Sequence, residues 1–187
     1  DANSLAVNFE GLNQLRSIAE DLIVTHNTAL TSMQGLESLV DVGRDMYVEG
    51  NSALADFTGM ESLQSVGRDL TITDNDSLET LAGLTELLEV GRHLNITEND
   101  ALTDVSALEG LTSIGGDMII TGNSSLSTSN VTSLRDSIGQ GNIGGQVDLT
   151  QNNTTELDCS SVVNWGGNFL WPDSNSSLCT TGDTYSI

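Results

Sequence analysis

The stretch LTITDND, residues 70–76, decides how this chain folds, because versions of it recur along the sequence. Leu70 and Ile72 alternate with Thr71 and Thr73, and Asn75 follows two residues after the second threonine. Such alternation is typical of a β-strand with one buried face. The related stretches are LIVTHNT from Leu22, MYVEGNS from Met46, LNITEND from Leu94, MIITGNS from Met118 and VDLTQNN from Val147.

The asparagine of this stretch recurs at a fixed spacing. A step of 24 residues separates the members of the series Asn3, Asn27, Asn51, Asn75, Asn99 and Asn123. Asn152 follows after 29 residues, which predicts a five-residue insertion within about residues 127–142. A period of this size indicates a solenoid, whose repeats bury their apolar sides only by stacking. We therefore expect repeats over residues 1–152 and a C-terminal cap over residues 153–187.

The part of each repeat between the strands has its own pattern. Leu81, Leu84 and Leu87 are spaced by three, which predicts a short helical or 3-10 arc. A glycine follows in each VGRD-like turn, and we expect it to supply a backbone shape that other residues avoid. The arginines of these turns, Arg44, Arg68 and Arg92, stand beside Asp45, Asp69 and His93, and we expect them to pair with the aspartates. The predicted fold is an α/β repeat solenoid with a parallel β-sheet on one face and helical arcs on the other. The asparagines should point inward and bond the backbone of the adjacent turn.

Two longer stretches carry a resemblance to a known family. LESLVDVGRDMYVEGNSAL, residues 36–54, and LAGLTELLEVGRHLNITENDAL, residues 81–102, resemble leucine-rich repeats of the receptor L-domain type. Similar repeats occur in fungal cell-wall proteins and bacterial surface proteins. The resemblance extends over about residues 3–152, and it implies a leucine-rich-repeat module that binds or displays without catalysing a reaction.

The charge of the chain limits the classes of partner that it can bind. It has 27 acidic residues against five basic ones, all arginine, and a formal net charge of −22. This field repels nucleic acid and disfavours anionic membranes. No apolar run is long enough to predict membrane insertion. The composition suits a secreted or cell-surface protein.

The two cysteines, Cys159 and Cys179, lie in the predicted cap. An isolated pair 20 residues apart predicts one local disulfide, which would close the cap and indicate an oxidising, extracellular compartment. A zinc site would need two further ligands, and the histidines lie far away in sequence.

N-glycosylation sequons are frequent, and the repeat pattern ranks them. Asn75, Asn123 and Asn152 belong to the inward column and should be buried. Asn95 points outward from a strand and is an intermediate acceptor. The better acceptors are Asn130, Asn153 and Asn175, in the insertion or the cap.

Two columns of the predicted sheet point outward and form the expected ligand-binding face. The first varies in chemistry and contains Ile23, Tyr47, Thr71, Asn95, Ile119 and Asp148. The second is mostly threonine and contains Thr25, Glu49, Thr73, Thr97, Thr121 and Thr150. Irregular side chains on a regular scaffold favour recognition of a protein or glycan ligand.

Two other functions stay open. Exposed ends of the solenoid favour end-to-end self-association into an extracellular filament or surface assembly. The threonine row favours ice binding, although the neighbouring column supplies no second threonine row and β-propensity alone explains exposed threonines. Catalytic motifs are missing and His26 and His93 belong to different columns, so we expect no enzyme activity, cofactor or metal.

Overall fold

A computed structural model describes residues 6–153 and shows a β-solenoid whose described strands all run parallel. Each repeat contributes a two-residue strand and then a four-residue strand. The shorter strands are β1 (Ser17–Ile18), β3 (Asp41–Val42), β5 (Ser65–Val66), β7 (Glu89–Val90) and β9 (Ser113–Ile114). The longer strands are β2 (Leu22–Thr25), β4 (Met46–Glu49), β6 (Leu70–Thr73), β8 (Leu94–Thr97) and β10 (Met118–Thr121). Strand β11 (Val147–Asp148) ends the series.

The strands form two sheets whose register follows the sequence period. The shorter strands make a five-stranded sheet in the order β1-β3-β5-β7-β9, and the others make a six-stranded sheet in the order β11-β10-β8-β6-β4-β2. Leu70 pairs with Met46 on one side and Leu94 on the other, each 24 residues away. Met118 pairs with Val147 across the insertion. The predicted repeat solenoid with a parallel sheet is confirmed.

An aliphatic core runs the length of the stack. Leu70 and Ile72 of β6 are fully buried, whereas Thr71 and Thr73 are partly exposed. The same alternation holds in β4, β8 and β10, so each strand adds two aliphatic side chains to one continuous core. Phe57 is the largest side chain buried there.

The arcs between the sheets differ from the predicted helices. In most repeats they are consecutive reverse turns: the N–H of Leu84 donates to the carbonyl of Leu81, and that of Leu87 to the carbonyl of Leu84. Gly83 lies in the first turn with a φ of +103°, which blocks continuation as a helix. Ala107 occupies the equivalent position one repeat later, and there the chain forms the 3-10 helix Ser106–Leu108. The predicted helical or 3-10 arcs are therefore confirmed only in part: the structure forms them at Ser106–Leu108, Thr128–Ile138 and Gln140–Asn142, and turns in the other described arcs.

The glycine of the VGRD-like turn has a different role from the one predicted. Gly67 does not have a positive φ, so an unusual backbone shape is not the reason for it. A Cβ atom on Gly67 would lie 2.3 Å from the carbonyl oxygen of Gly43 in the preceding repeat. Glycine is required because the backbones of successive repeats stack too closely for any side chain. The same contact recurs at Gly91, Gly115 and Gly144.

The insertion forms the only α-helix among residues 6–153. Helix α1 (Thr128–Ile138) begins where Ser127 Oγ accepts a hydrogen bond from the N–H of Asn130, at 3.2 Å. Val131, Leu134 and Ile138 face the core, and the 3-10 helix Gln140–Asn142 follows. Five extra residues thus convert one arc into a helix. The predicted cap, with Cys159 and Cys179, lies outside the described residues apart from Asn153.

Candidate ligand-binding face

A ladder of buried asparagine side chains closes one end of the longer strands. The Nδ2 of Asn75 donates to the carbonyls of Val48 and Thr73, at 3.2 and 2.9 Å, and to Asn99 Oδ1 at 3.2 Å. Its Oδ1 accepts from the N–H and Nδ2 of Asn51. No part of Asn75 is exposed. The prediction that this column points inward and bonds the adjacent turn is confirmed.

The residue before each ladder asparagine adopts a left-handed conformation. Asp74 and Glu98 have φ values of 54°, although neither is glycine. This conformation turns the chain so that the next side chain enters the core. Sequence reasoning missed it, since the variable middle residue of Thr-x-Asn shows no preference for glycine. The other members of this column are His26, Gly50, Gly122 and Gln151.

A second polar ladder closes the opposite end of the same strands. Asp45 Oδ1 accepts the N–H of Asp69, and Asp69 Oδ1 accepts the N–H of His93. His93 then takes the place of an aspartate, because its Nδ1 accepts the N–H of Asp117 at 2.9 Å. From the sequence, Asp45 and Asp69 were expected only as partners of arginine. The signal for the backbone role was the aspartate at a fixed 24-residue step.

Arginines also pair with this aspartate column, as predicted. The pairs and their nitrogen–oxygen distances are Arg44–Asp21 at 3.4 Å, Arg68–Asp45 at 3.6 Å and Arg92–Asp69 at 3.0 Å. The arginines are well exposed, so each pair contributes about 0–1 kcal/mol to stability. Their larger consequence is that Asp21, Asp45 and Asp69 each have an arginine beside them.

The predicted face lies between the two ladders. Strand register places one row along the sheet, formed by Ile23, Tyr47, Thr71, Asn95, Ile119 and Asp148. The second row contains Thr25, Glu49, Thr73, Thr97 and Thr121. Thr150 lies beyond β11, where its N–H and hydroxyl both donate to Asp148 Oδ1. The structure therefore brings eleven of the twelve residues onto paired strands.

Neighbouring side chains on this face bond one another. Thr97 Oγ1 donates to Thr73 Oγ1 at 3.0 Å, and Asn95 Nδ2 donates to Thr71 Oγ1 at 3.4 Å. At the end of the first row, the hydrogen bond from the N–H of Thr150, together with that from its hydroxyl, lowers the pKa of Asp148. The regular spacing of the strands thus lets polar side chains form hydrogen bonds with their neighbours.

Tyr47 interrupts this polar pattern. Burial is the main cause that raises the pKa of its phenol, and a hydrogen bond to Glu49 and the negative charges of Glu49 and Asp74 add to it. The phenol of Tyr47 therefore keeps its proton beside the Glu49 carboxylate.

A groove connects Tyr47 to the aspartate ladder. Its volume is about 330 Å³, and its lining consists of Asp21, Ile23, Asp45, Met46, Tyr47, Asp69 and Thr71. Ile23 is 58% exposed, which is high for a large aliphatic side chain. An aromatic ring, an exposed aliphatic side chain and carboxylates thus line one depression, at the irregular part of the face.

The described sequons occupy different environments. Asn75, Asn123 and Asn152 are buried in the ladder, as predicted. Asn95 is half-buried on β8, and Asn153 is half-buried beside Ser127. Asn130 is exposed in the first turn of α1, where its Nδ2 donates to the carbonyl of Thr103 at 2.8 Å. Asn175 lies outside the described residues.

Residues 6–153 contain no group of three or more histidine, cysteine, aspartate or glutamate side chains arranged to hold a metal ion. No helix in that range is both long and apolar enough to cross a membrane.

Comparison of the chain with protein-family models, curated proteins and solved structures found no match.

Proposed function

We propose that this chain is an extracellular leucine-rich-repeat module of the receptor L-domain-like type that binds or displays a ligand and does not catalyse a reaction. The ligand is a protein or glycan, and it contacts the outward face of the six-stranded sheet. The observation that carries the proposal is the groove at Tyr47, where the polar pattern of the face is broken. Exposed Ile23 lies opposite that ring in the strand register, so the two side chains form an apolar patch rather than a single exposed residue.

The extracellular location is part of the proposal. Its support is the net charge of −22, the pair Cys159 and Cys179, and the sequons at Asn95, Asn130, Asn153 and Asn175. Asn130 is the best-supported acceptor among these, because its side chain is exposed. Occupancy can be measured by intact mass before and after enzymatic deglycosylation of native material.

Variants on the two sheets test the binding face. The chain is screened against arrays of extracellular proteins and glycans, and each hit is measured with Tyr47→Ala and Thr71→Ala. We expect at least about a tenfold loss of affinity, because both residues line the groove. Ser65→Ala on the five-stranded sheet is the matched control and should bind normally. Equal binding by all three variants would contradict a site on this face.

Ice binding is a second candidate, favoured by the register of Thr73, Thr97 and Thr121 on adjacent strands. Their backbones are separated by about 4.8 Å, a regular spacing that can order water. The experiment is thermal hysteresis with Thr97→Lys as the disrupting variant. Absence of hysteresis in the unchanged chain removes this candidate.

Assembly into a filament is a third candidate. Strands β1 and β2 are the outermost strands of their sheets at the same end of the solenoid. No strand within residues 6–153 pairs with their outer edges, and exposed strand edges can add another strand. Sedimentation velocity at increasing concentration tests it, and a single monomer species throughout would exclude assembly.

A further inference from the structure

We propose that the groove at Tyr47 binds a neutral saccharide; this rests on the proposed binding function and names its ligand class. The groove has a volume of about 330 Å³, at the small end of ligand pockets. That size suits one or a few sugar units of a longer chain that runs along the sheet.

The apolar wall of the groove suits the ring face of a sugar. Pyranose rings present a patch of C–H groups on one face, and an aromatic ring offers a flat surface for it. Tyr47 is half-buried on β4, with Ile23 and Thr71 beside it on the neighbouring strands. Ile23 extends the same apolar surface on the neighbouring strand, opposite Tyr47 in the register.

The polar wall suits the hydroxyl groups of the same ligand. Asp21, Asp45 and Asp69 stand on successive repeats, about 4.8 Å apart. In Asp45, Oδ1 accepts the N–H of Asp69, while Oδ2 has no hydrogen-bond partner among the described residues. A carboxylate oxygen accepts hydroxyl hydrogens strongly, because its charge assists the bond.

The charge balance decides between a neutral ligand and a charged one. Arg44, Arg68 and Arg92 pair with the three aspartates, so a basic peptide would compete with arginines already present. An acidic or sulfated saccharide would be repelled by the net charge of −22. A neutral saccharide avoids both penalties and gains from both walls of the groove.

Calorimetry with the full chain tests the inference. The probes are neutral gluco-, manno-, galacto- and N-acetylglucosamine oligosaccharides, a sulfated oligosaccharide and an oligolysine peptide. We expect binding to at least one neutral probe and no binding to the charged probes. Tyr47→Ala should weaken this binding at least about tenfold, and Tyr47→Phe, which keeps the ring, should stay within about threefold. Asp45→Asn keeps an oxygen acceptor for the N–H of Asp69 and should weaken binding several-fold.

A matched control and thermal unfolding of every variant separate binding from folding. Ser65→Ala on the opposite sheet should bind the neutral probe normally. No binding of any neutral probe up to about 10 mM, or binding that Tyr47→Ala leaves unchanged, would overturn the inference. A protein, a basic peptide or a sulfated saccharide could bind instead, with Tyr47→Ala abolishing that binding. In that case the assignment of a neutral saccharide fails while the proposed binding function stands.

Discussion

The ladder asparagines concentrate many hydrogen bonds on single side chains. Asn75 makes bonds in both directions along the stack and is entirely buried. Replacing it with alanine leaves several backbone groups without partners in the core. We expect Asn75→Ala to lower the free energy of unfolding by about 3–5 kcal/mol, measured by urea denaturation. Asp76→Ala, at the exposed neighbouring position, should change it by less than about 0.5 kcal/mol; equal losses would refute the structural role.

Two glycines in different surroundings, Gly67 and Gly141, are expected to respond in opposite ways to substitution by alanine. In Gly67→Ala the new Cβ would meet the carbonyl of Gly43 at 2.3 Å, and this contact cannot be relieved without separating two repeats. We expect this substitution to lower the free energy of unfolding, measured by urea denaturation, by about 3 kcal/mol. Gly141 has open space around its Cβ position, so Gly141→Ala should be neutral or stabilise by up to about 1 kcal/mol. A tolerated Gly67→Ala would show that the repeats can move apart.

Tyr47 provides a test in alkaline solution. Burial, with help from Glu49, raises the pKa of its phenol above the ordinary value of about 10. The folded state therefore holds this proton more tightly than the unfolded chain does. The resulting stability is fully present below pH 10 and is lost as pH rises through the raised pKa. Phenolate absorbance of the Tyr185→Phe variant should report this late titration, and adding Glu49→Gln should move it back toward the ordinary value.

At the scale of elements, the start of α1 depends on one side chain. Ser127 Oγ accepts a hydrogen bond from the N–H of Asn130, which also donates to the Ser127 carbonyl at the start of the helix. Ser127→Ala should lower the free energy of unfolding by about 1 kcal/mol. Ser133, exposed on the same helix, is the matched control and should tolerate alanine. The comparison requires only thermal unfolding of both variants, and similar midpoints would argue against the cap.

The longer strands were predictable because the alternation of Leu70, Thr71, Ile72 and Thr73 reports burial directly. The conformation of the arcs was less predictable, because leucines spaced by three fit a helix and a pair of reverse turns equally well. Gly83 decides between them through its positive φ, and Ala107 shows the alternative. The close stacking of Gly67 was hidden, since a sequence shows that glycine is required but not which atom excludes a side chain.

The site was predictable in part. Both outward rows followed from the period, since strand register copies the 24-residue step. The groove was not, because its second wall belongs to Asp21, Asp45 and Asp69 at the start of the strands. In the sequence, Asp45 and Asp69 indicated only partners for arginine, and Asp21 was not singled out. Their position beside Tyr47 depends on how the turn enters the sheet.

For the whole molecule, the net charge of −22 is expected to lower the stability of the folded state. With 27 acidic and five basic residues, the folded chain repels itself more than the expanded chain does. Raising NaCl from about 10 mM to about 1 M shortens the screening length from about 30 to about 3 Å and should raise the melting temperature by several degrees. The triple variant Glu79→Gln, Asp100→Asn, Glu109→Gln removes three exposed charges, so its melting temperature should rise less with added salt. An unchanged salt response would rule out self-repulsion as the cause.

The asparagine ladder also gives the molecule a polarity. From Asn27 to Asn152 each Nδ2 donates to the Oδ1 of the next asparagine, so the amide dipoles align head to tail along one edge of the core. Hydrogen bonds in such chains polarise and strengthen one another. A repeat added in the same orientation would extend this chain of amides, whereas a reversed one would set donor against donor. The array can therefore be lengthened by duplicating a unit, but its direction is built into every repeat.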